Sequence, residues 1–242
     1  TLRRAGYDGG SIMKATVLFS GGIDSTTVLA LAIEKAGREN VTALSVRYGQ
    51  KHEAELSAAA AIAAHYGVEQ LVTDLTTVFQ YSPSSLLKHS AEDIPKESYA
   101  AQLEKINGET PVSTYVPFRN GIFLSVAAGI ALSRGSSVLY YGAHADDAAG
   151  FAYPDCSPAF NEAAAKAVWE GTGRQIRIEA PFIQMNKAAI IKIGLNLKVP
   201  YELTRSCYES GDIPCGRCGT CRDRAAAFAA NHVQDPALKG IR

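Results

Sequence analysis

Residues 20–25 read Ser20-Gly21-Gly22-Ile23-Asp24-Ser25, directly after the apolar run Ala15–Phe19. A short apolar run of this kind, bounded by glycines, reads as a buried strand. The stretch Thr26–Lys35 behind it reads as a helix stopped by Gly37. The hexapeptide is therefore a strand-to-helix turn carrying two hydroxyls. Backbone N–H groups at such a turn converge on an anion at a helix N-terminus, where the macrodipole favours negative charge. Gly21 and Gly22 lack the Cβ atoms that would hold the backbone away from a phosphate. Asp24 sits among those donors, and a carboxylate beside a polyphosphate makes chemical sense with a divalent cation such as Mg²⁺ between them. The plainer alternative is a glycine-rich turn with no ligand.

Outward from this turn, strands alternate with helices. Val41–Val46, Val68–Leu75, Val138–Tyr141 and Ile176–Ala180 read as strands. Glu53–Tyr66 is an Ala-rich helix ended by Gly67, and Arg119–Arg134 is a helix stopped by Gly135. Ser157-Pro158 reads as N-cap and first position of a helix running to Glu170, with Trp169 expected in the core. Asn186 caps a helix to Leu197. The alternation predicts an α/β fold, a doubly wound parallel sheet with helices on both faces and ligands at the carboxyl ends of its strands. Phe79–Pro117 breaks the rhythm. It is long, polar and rich in Ser, Pro and Glu, and reads as a lid, a binding loop or an unstructured segment.

The chain has 242 residues, with 24 Lys and Arg against 24 Asp and Glu. Zero net charge argues against nucleic acid as the direct substrate, since phosphate backbones attract basic surfaces. No apolar run approaches the roughly 20 residues of a membrane span. Thr1–Ser11 lacks a signal-peptide pattern, and Met13-Lys14 reads as a natural start, so residues 1–12 are expected to be an extension.

Four of the five cysteines lie at Cys207-x₇-Cys215-x₂-Cys218-x₂-Cys221. Tetrahedral zinc takes thiolates at about 2.3 Å, and Cys-x-x-Cys turns aim two of them at one point. Four thiolates close the coordination sphere, which predicts a structural Zn²⁺. Redox chemistry, sulfur transfer and an iron–sulfur cluster are the competing uses of such a set. Cys156 stands apart. Cysteines grouped for a metal rather than for disulfides point to the cytoplasm.

Three more constellations follow strands or open helices. Tyr48-Gly49-Gln50-Lys51-His52 follows the second strand. Pro117-Phe118-Arg119-Asn120 is a stop followed by a helix start, where a guanidinium reaches phosphate bidentately or serves as a surface cap. Gly142-Ala143-His144-Ala145-Asp146-Asp147 and Tyr153-Pro154-Asp155-Cys156 share one long loop after the fourth strand. Carboxylates, a histidine and aromatics there suit a flat polar heterocycle, because a carboxylate accepts two N–H donors from a guanine-like edge. Lys187 opens a helix, where its charge opposes the macrodipole; an anion between them resolves the conflict.

The hexapeptide resembles the PP-loop of the ATP pyrophosphatases. It differs from Gly-x-x-x-x-Gly-Lys-[Ser/Thr], since Thr26 and Thr27 follow Ser25 and no lysine does. Met13 to about Ala230 resembles the 7-cyano-7-deazaguanine synthase family of the queuosine and archaeosine pathways. The resemblance rests on Phe-Ser-Gly-Gly-Ile-Asp-Ser-Thr-Thr, Tyr-Gly-Gln-Lys-His, Val-Pro-Phe-Arg-Asn, Gly-Ala-His-Ala-Asp-Asp, Tyr-Pro-Asp-Cys and the four cysteines, in family order. It implies an adenine nucleotide alpha hydrolase-like domain over residues 13–200 and a zinc-binding, helical C-terminal region over 201–242. It implies that Phe19, Ser20, Gly21, Gly22, Ile23, Asp24, Ser25, Thr26, Thr27, Val28 and Leu29 bind ATP, and that Cys207, Cys215, Cys218 and Cys221 bind zinc. The substrates implied are 7-carboxy-7-deazaguanine and ammonium, with the heterocycle met by Tyr48, Gln50, His52, His144, Asp147, Tyr153, Pro154 and Asp155. Asp24 would act through Mg²⁺, and Arg119 and Lys187 on the leaving pyrophosphate. No residue stands out as a general base for ammonia. A homodimer is expected from the resemblance. The chain departs from the family pattern at Phe118, where most members have Gly, and over Asp147–Ala152. Two other readings stay open: transfer of the activated group to a protein amine or to tRNA, and a zinc-bearing binding module on an inactive nucleotide domain.

Overall fold

In the computed structural model, which describes residues 13–51, 54–95, 104, 110–207 and 213–238, strand β1 (Ala15–Leu18) runs through the middle of a five-stranded sheet. The expected extension over residues 1–12 and the candidate His52 lie outside the described residues. The other strands are β2 (Val41–Arg47), β3 (Glu69–Asp74), β4 (Val138–Tyr140) and β5 (Arg177–Glu179). Their order is β3-β2-β1-β4-β5 and every pairing is parallel, with Val17 opposite Ala43 on one side and Tyr140 on the other. The chain thus winds outward from β1 through β2 to β3, then returns across the sheet to lay down β4 and β5. That reversal opens a crevice between the carboxyl ends of β1 and β4, where sheets of this type hold ligands.

The connecting helices are α1 (Ile23–Ala36), α2 (Ala54–Tyr66), α3 (Arg119–Ser133), a single turn α4 (Ala145–Ala148), α5 (Pro158–Gly171), α6 (Lys187–Asn196) and α7 (Gly219–Ala229). Successive strand residues point to opposite faces, and two cores result. Ala15, Val17 and Ala43 meet Val28 and Leu29 of α1, Ile62 of α2, Ile190 of α6 and Phe228 of α7. Leu44 and Leu139 meet Leu124 and Ala128 of α3, with Phe160 and Val168 of α5 packed against them. Helix α5 has no fully buried residue, so Trp169 is half-buried rather than a core residue.

Capping follows the sequence. Ser157 accepts from Phe160 N at 3.1 Å, Asn186 accepts from Ala189 N at 2.9 Å, and Gly37 ends α1 with φ +81°. Helix α1 begins at Ile23, three residues before the expected Thr26, because Gly22 takes the extended N-cap conformation. Asp24 is thereby placed in the first turn, where the macrodipole favours a carboxylate. The described part of the segment from Phe79 to Pro117 is a wall against the sheet's end. Phe79, Leu86, Leu87 and Val116 pack on Tyr48. Lys51 N donates to Leu86 O at 2.8 Å, and Lys88 N donates to Gly49 O at 2.8 Å.

Candidate active site

A cleft of about 830 Å³ lies over the carboxyl ends of β1, β2 and β4. Its floor is the Ser20–Ser25 bend. Gly21 has φ +84°, and a Cβ there would sit 2.7 Å from Ala59 N and 2.9 Å from Glu55 O, so only glycine lets α2 pack on the bend. Gly142 after β4 makes the matching approach, since its Cβ would lie 3.2 Å from Asp24 C and Ser25 N. The two strand ends are thus drawn together by glycines on both sides. Ser20 and Ser25 bond through their hydroxyls at 3.1 Å, and Ser20 N donates to Ser25 Oγ at 3.2 Å. Arg205 N donates to Gly21 O at 3.0 Å, tying the C-terminal segment to the bend.

Phe19, Ser20, Gly22, Ile23, Asp24 and Ser25 line the cleft. Thr26, Thr27, Val28 and Leu29 are buried below it. Thr27 Oγ1 donates to Ile23 O at 2.8 Å and lies 2.8 Å from Tyr201 Oη, a contact within the core rather than at the cleft.

Asp24 is the hub of one wall. Lys187 Nζ donates to its Oδ2 at 3.0 Å, and His144 Nε2 lies 3.5 Å from the same oxygen and 3.3 Å from Asp147 Oδ2. The backbone N–H of Lys187 donates to Asp146 Oδ2 at 2.8 Å, so the lysine that opposes its own helix dipole is compensated by carboxylates from the first turns of α1 and α4. Burial alone would raise the Asp24 carboxyl, but Lys187 and His144 outweigh it and hold it well below the usual range. Burial works against charge on His144 and on Lys187, and the neighbouring Asp147 and Asp24 overcome it, raising both. Asp24 Oδ1 is buried and accepts no hydrogen bond among the described residues. An orphaned carboxylate oxygen fits a hard cation that takes oxygen ligands.

The opposite wall is aromatic and basic. Arg119 at the start of α3 donates to Tyr48 Oη at 3.3 Å and stands over its ring, 5.5 Å from the centroid. Gln50, a further lining residue, turns back so that Tyr48 N donates to its Oε1 at 2.9 Å. Glu55 from the first turn of α2 and Arg205 complete this side. Burial pushes the Glu55 carboxyl up to about 7, against the attraction of Arg119 and Arg205.

The structure divides the remaining expected substrate residues. Tyr48, Gln50, His144, Asp147 and Tyr153 line the cleft, and Tyr153 Oη lies 2.6 Å from Thr114 Oγ1. Pro154 and Asp155 do not line it. The Asp155 carboxylate accepts from Asn120 N at 2.8 Å and so caps α3 from a distant loop, a role Phe118 at the N-cap position does not fill. Phe118 adopts φ +55°, the left-handed region that glycine enters without cost, and its ring lies over Gly121. Sequence reading missed Glu55, Arg205 and Asp223, which also lines the cleft. None belongs to the motifs, although Glu55 stands three residues beyond the Tyr48–His52 stretch.

The Sγ atoms of Cys207, Cys215, Cys218 and Cys221 all lie within 4.8 Å of one another, and three of the four residues are buried. Tetrahedral zinc–thiolate bonds place sulfurs about 3.8 Å apart, so the set fits a Cys₄ metal site. Backbone N–H groups already face the sulfurs: Cys215 N lies 3.2 Å from Cys207 Sγ, and Cys218 N 3.3 Å from Cys215 Sγ. Such donors stabilise thiolates around a metal. The cluster borders the cleft, since Thr220 Oγ1 donates to Ser206 O at 2.6 Å and both residues line it. The buried Arg224 anchors α7, donating to Asp235 Oδ1 at 2.9 Å and to Tyr201 O at 2.9 Å. Among the described residues, no helix is long and apolar enough to cross a membrane.

Residues 14–232 match the family described as queuosine biosynthesis protein QueC. The chain is 42% identical over 227 residues to a 7-cyano-7-deazaguanine synthase of Archaeoglobus fulgidus, covering 93% of this chain and 90% of that protein. It is 44% identical over 229 residues to the 7-cyano-7-deazaguanine synthase of Thermoplasma acidophilum, covering 92% and 90% respectively. Among solved structures, it is similar to the U34-tRNA thiolase NcsA from Methanococcus maripaludis, at 14% identity and a TM-score of 0.49 over 91% of this chain and 66% of that one. With the family match spanning nearly the whole described fold, the chain belongs to the QueC family of 7-cyano-7-deazaguanine synthases.

Proposed function

We propose that this chain uses ATP to convert 7-carboxy-7-deazaguanine and ammonia to 7-cyano-7-deazaguanine, in residues 13–200 as the nucleotide-binding domain with residues 201–242 as its metal-bearing support. The observation that carries the reading is the pairing of the Ser20–Ser25 bend with Asp24, His144 and Lys187 at the sheet's reversal point.

The chemistry explains why such a site is needed. A carboxylate does not accept ammonia, because oxide does not leave. Attack of the carboxylate oxygen on the α-phosphorus of ATP expels pyrophosphate and leaves an acyl adenylate. Ammonia then displaces AMP to give the amide. A second adenylation, on the amide oxygen, lets AMP leave again as the C–N triple bond forms. The chain's part is to hold the triphosphate in line and stabilise charge as it builds on the leaving group. The N–H groups and hydroxyls of Ser20–Ser25 receive the phosphates at the start of α1. Lys187 and Arg119, on opposite walls, neutralise the departing pyrophosphate. Asp24 would hold Mg²⁺, which screens the phosphate charges when bound. Tyr48, Gln50, His144, Asp147 and Tyr153 receive the heterocycle, while Asp155 fixes the start of α3 and with it Arg119. The four cysteines would hold Zn²⁺ and so fix Arg205 and Ser206 against the bend.

The test is mass spectrometry of products after incubation with ATP, Mg²⁺, ammonium and 7-carboxy-7-deazaguanine. The reading predicts the nitrile, AMP and pyrophosphate, each dependent on the carboxylated heterocycle. AMP formation that requires tRNA and a sulfur donor instead would overturn it.

A further inference from the structure

The reaction assigned above consumes ammonia, which in water at neutral pH is almost entirely ammonium and has no lone pair to offer. Amidation draws either on the small neutral fraction or on ammonium that gives a proton to a base in the cleft. The carboxylates lining the cleft are Asp24, Asp146, Asp147, Asp223 and Glu55. Three are already engaged: Asp24 with Lys187 and His144, Asp146 with the backbone of Lys187, and Asp147 with His144. Asp223 lies on α7, on the side of the cleft that faces Lys187 and Asp146. Glu55 stands instead on the basic, aromatic wall, in the turn of α2 that packs on the Ser20–Ser25 bend, and like Asp223 it accepts no hydrogen bond from a described residue.

Its placement is fixed by the fold. The Glu55 carbonyl packs where a Cβ on Gly21 would be, so the first turn of α2 rests directly on the phosphate bend. Tyr48 after β2, Arg119 at the start of α3 and Arg205 ahead of the cysteines line the same cleft as Glu55, and both arginines attract its carboxylate. We propose that Glu55 is the general base that converts ammonium to ammonia beside the acyl adenylate, a role that rests on the synthase reading given above.

The proton balance is complete. Ammonium gives one proton to the Glu55 carboxylate. The freed lone pair forms the C–N bond at the acyl carbon. The C–O bond to AMP breaks, and AMP leaves with the electron pair. The second nitrogen proton passes to water, and Glu55 returns its own to solvent before the next cycle. The electrostatics favour this use. Burial holds the carboxyl near 7, matched to the working pH, where a base is most effective.

The experiment separates the two half-reactions of a Glu55→Gln variant. Adenylation is read as exchange of labelled pyrophosphate into ATP with 7-carboxy-7-deazaguanine and no ammonium. Amidation is read as amide formed with ammonium, and in parallel as hydroxamate formed with hydroxylamine, which is largely unprotonated at neutral pH. We expect exchange within a few-fold of the parent, amide formation down by on the order of 10²–10⁴-fold, and hydroxylamine restoring most of the rate. The parent should show an acid limb near pH 7 in amide formation, absent from the variant with hydroxylamine. Amide formation unchanged in the variant, or exchange lost in proportion to it, overturns the proposal; the second outcome makes Glu55 an anchor for the two arginines. If the variant does not fold, the parent's own profile decides, and an ammonium step without that acid limb overturns it. Absence of exchange in the parent enzyme would strike the synthase reading instead.

Discussion

Asp24 and Glu55 are both carboxylates in the first turn of a helix that follows a strand of the sheet, and both line one cleft. Burial pushes both upward; they differ in what stands beside them. Asp24 has an ammonium within hydrogen-bonding distance and an imidazole at 3.5 Å, and these reverse the effect of burial. Glu55 feels two guanidinium groups that only moderate it. The same residue class at the same kind of helix position thus yields a fixed anion on one wall and a titrating group on the other. A wall of fixed charges suits a polyphosphate and its cation, while a titrating wall suits proton transfer. Position on the fold assigns the place, and neighbours assign the chemistry.

The comparison breaks most directly at Asp24. Asp24→Asn removes the hub that Lys187 and His144 share, and AMP release should fall by about 10²–10³-fold or more; near-parent turnover would remove Asp24 from the mechanism. Lys187→Met should cost about 10²-fold in AMP release; near-parent turnover would remove Lys187 from the neutralisation of the leaving group.

The cysteine region sharpens the contrast from outside the cleft. Cys215→Ser, or a strong chelator, should lower bound zinc from about one per chain and reduce thermal stability. It should slow AMP formation less than Asp24→Asn does, because the cluster acts through Arg205 and Ser206 and not on the phosphates. Iron in place of zinc in the purified protein would overturn the structural assignment.

The fold was readable because it is punctuated locally. Gly37, Gly67, Ser157 and Asn186 announce helix ends in the sequence itself, and each serves as an end or a cap. The Ser20–Ser25 bend at the floor of the cleft and the Cys₄ set were readable for the same reason, since each occupies a short stretch with turn-forming residues between its functional groups. What was not readable depends on distant packing. The Asp24–Lys187 pair joins residues 163 apart, and Asp155 caps α3 through Asn120, 35 residues earlier in the chain. Nothing in the local pattern around Asp155 distinguishes a capping carboxylate from a ligand-reading one. Glu55 reads as an ordinary helix-surface glutamate until α2 is laid against Gly21. Trp169 looked like core by residue type, but it lies on α5, which no further layer covers.

Two smaller effects concern stability against pH. His144 is raised above its usual value of about 6.5, so its ion pairs stabilise the fold fully below that pH, and the contribution is lost as pH rises through the raised value. His144→Asn should flatten that alkaline decline in Tm. Glu55 is raised from 4.5 to about 7, so the folded state holds its proton more tightly than the unfolded chain, and stability falls as pH climbs through that window. Glu55→Gln should therefore melt a few °C above the parent at about pH 8 and close to it near pH 4. A variant less stable than the parent at pH 8 would mean that the two arginines depend on Glu55 more than burial penalises it.

The central claim, that this cleft activates a carboxylate by attack at the innermost phosphorus of ATP, is tested by one labelling measurement. With ATP labelled at the α-phosphorus, 7-carboxy-7-deazaguanine, Mg²⁺ and ammonium, the label is predicted to appear in AMP, with unlabelled pyrophosphate released in equal amount. Label recovered in ADP, with inorganic phosphate released, would contradict it.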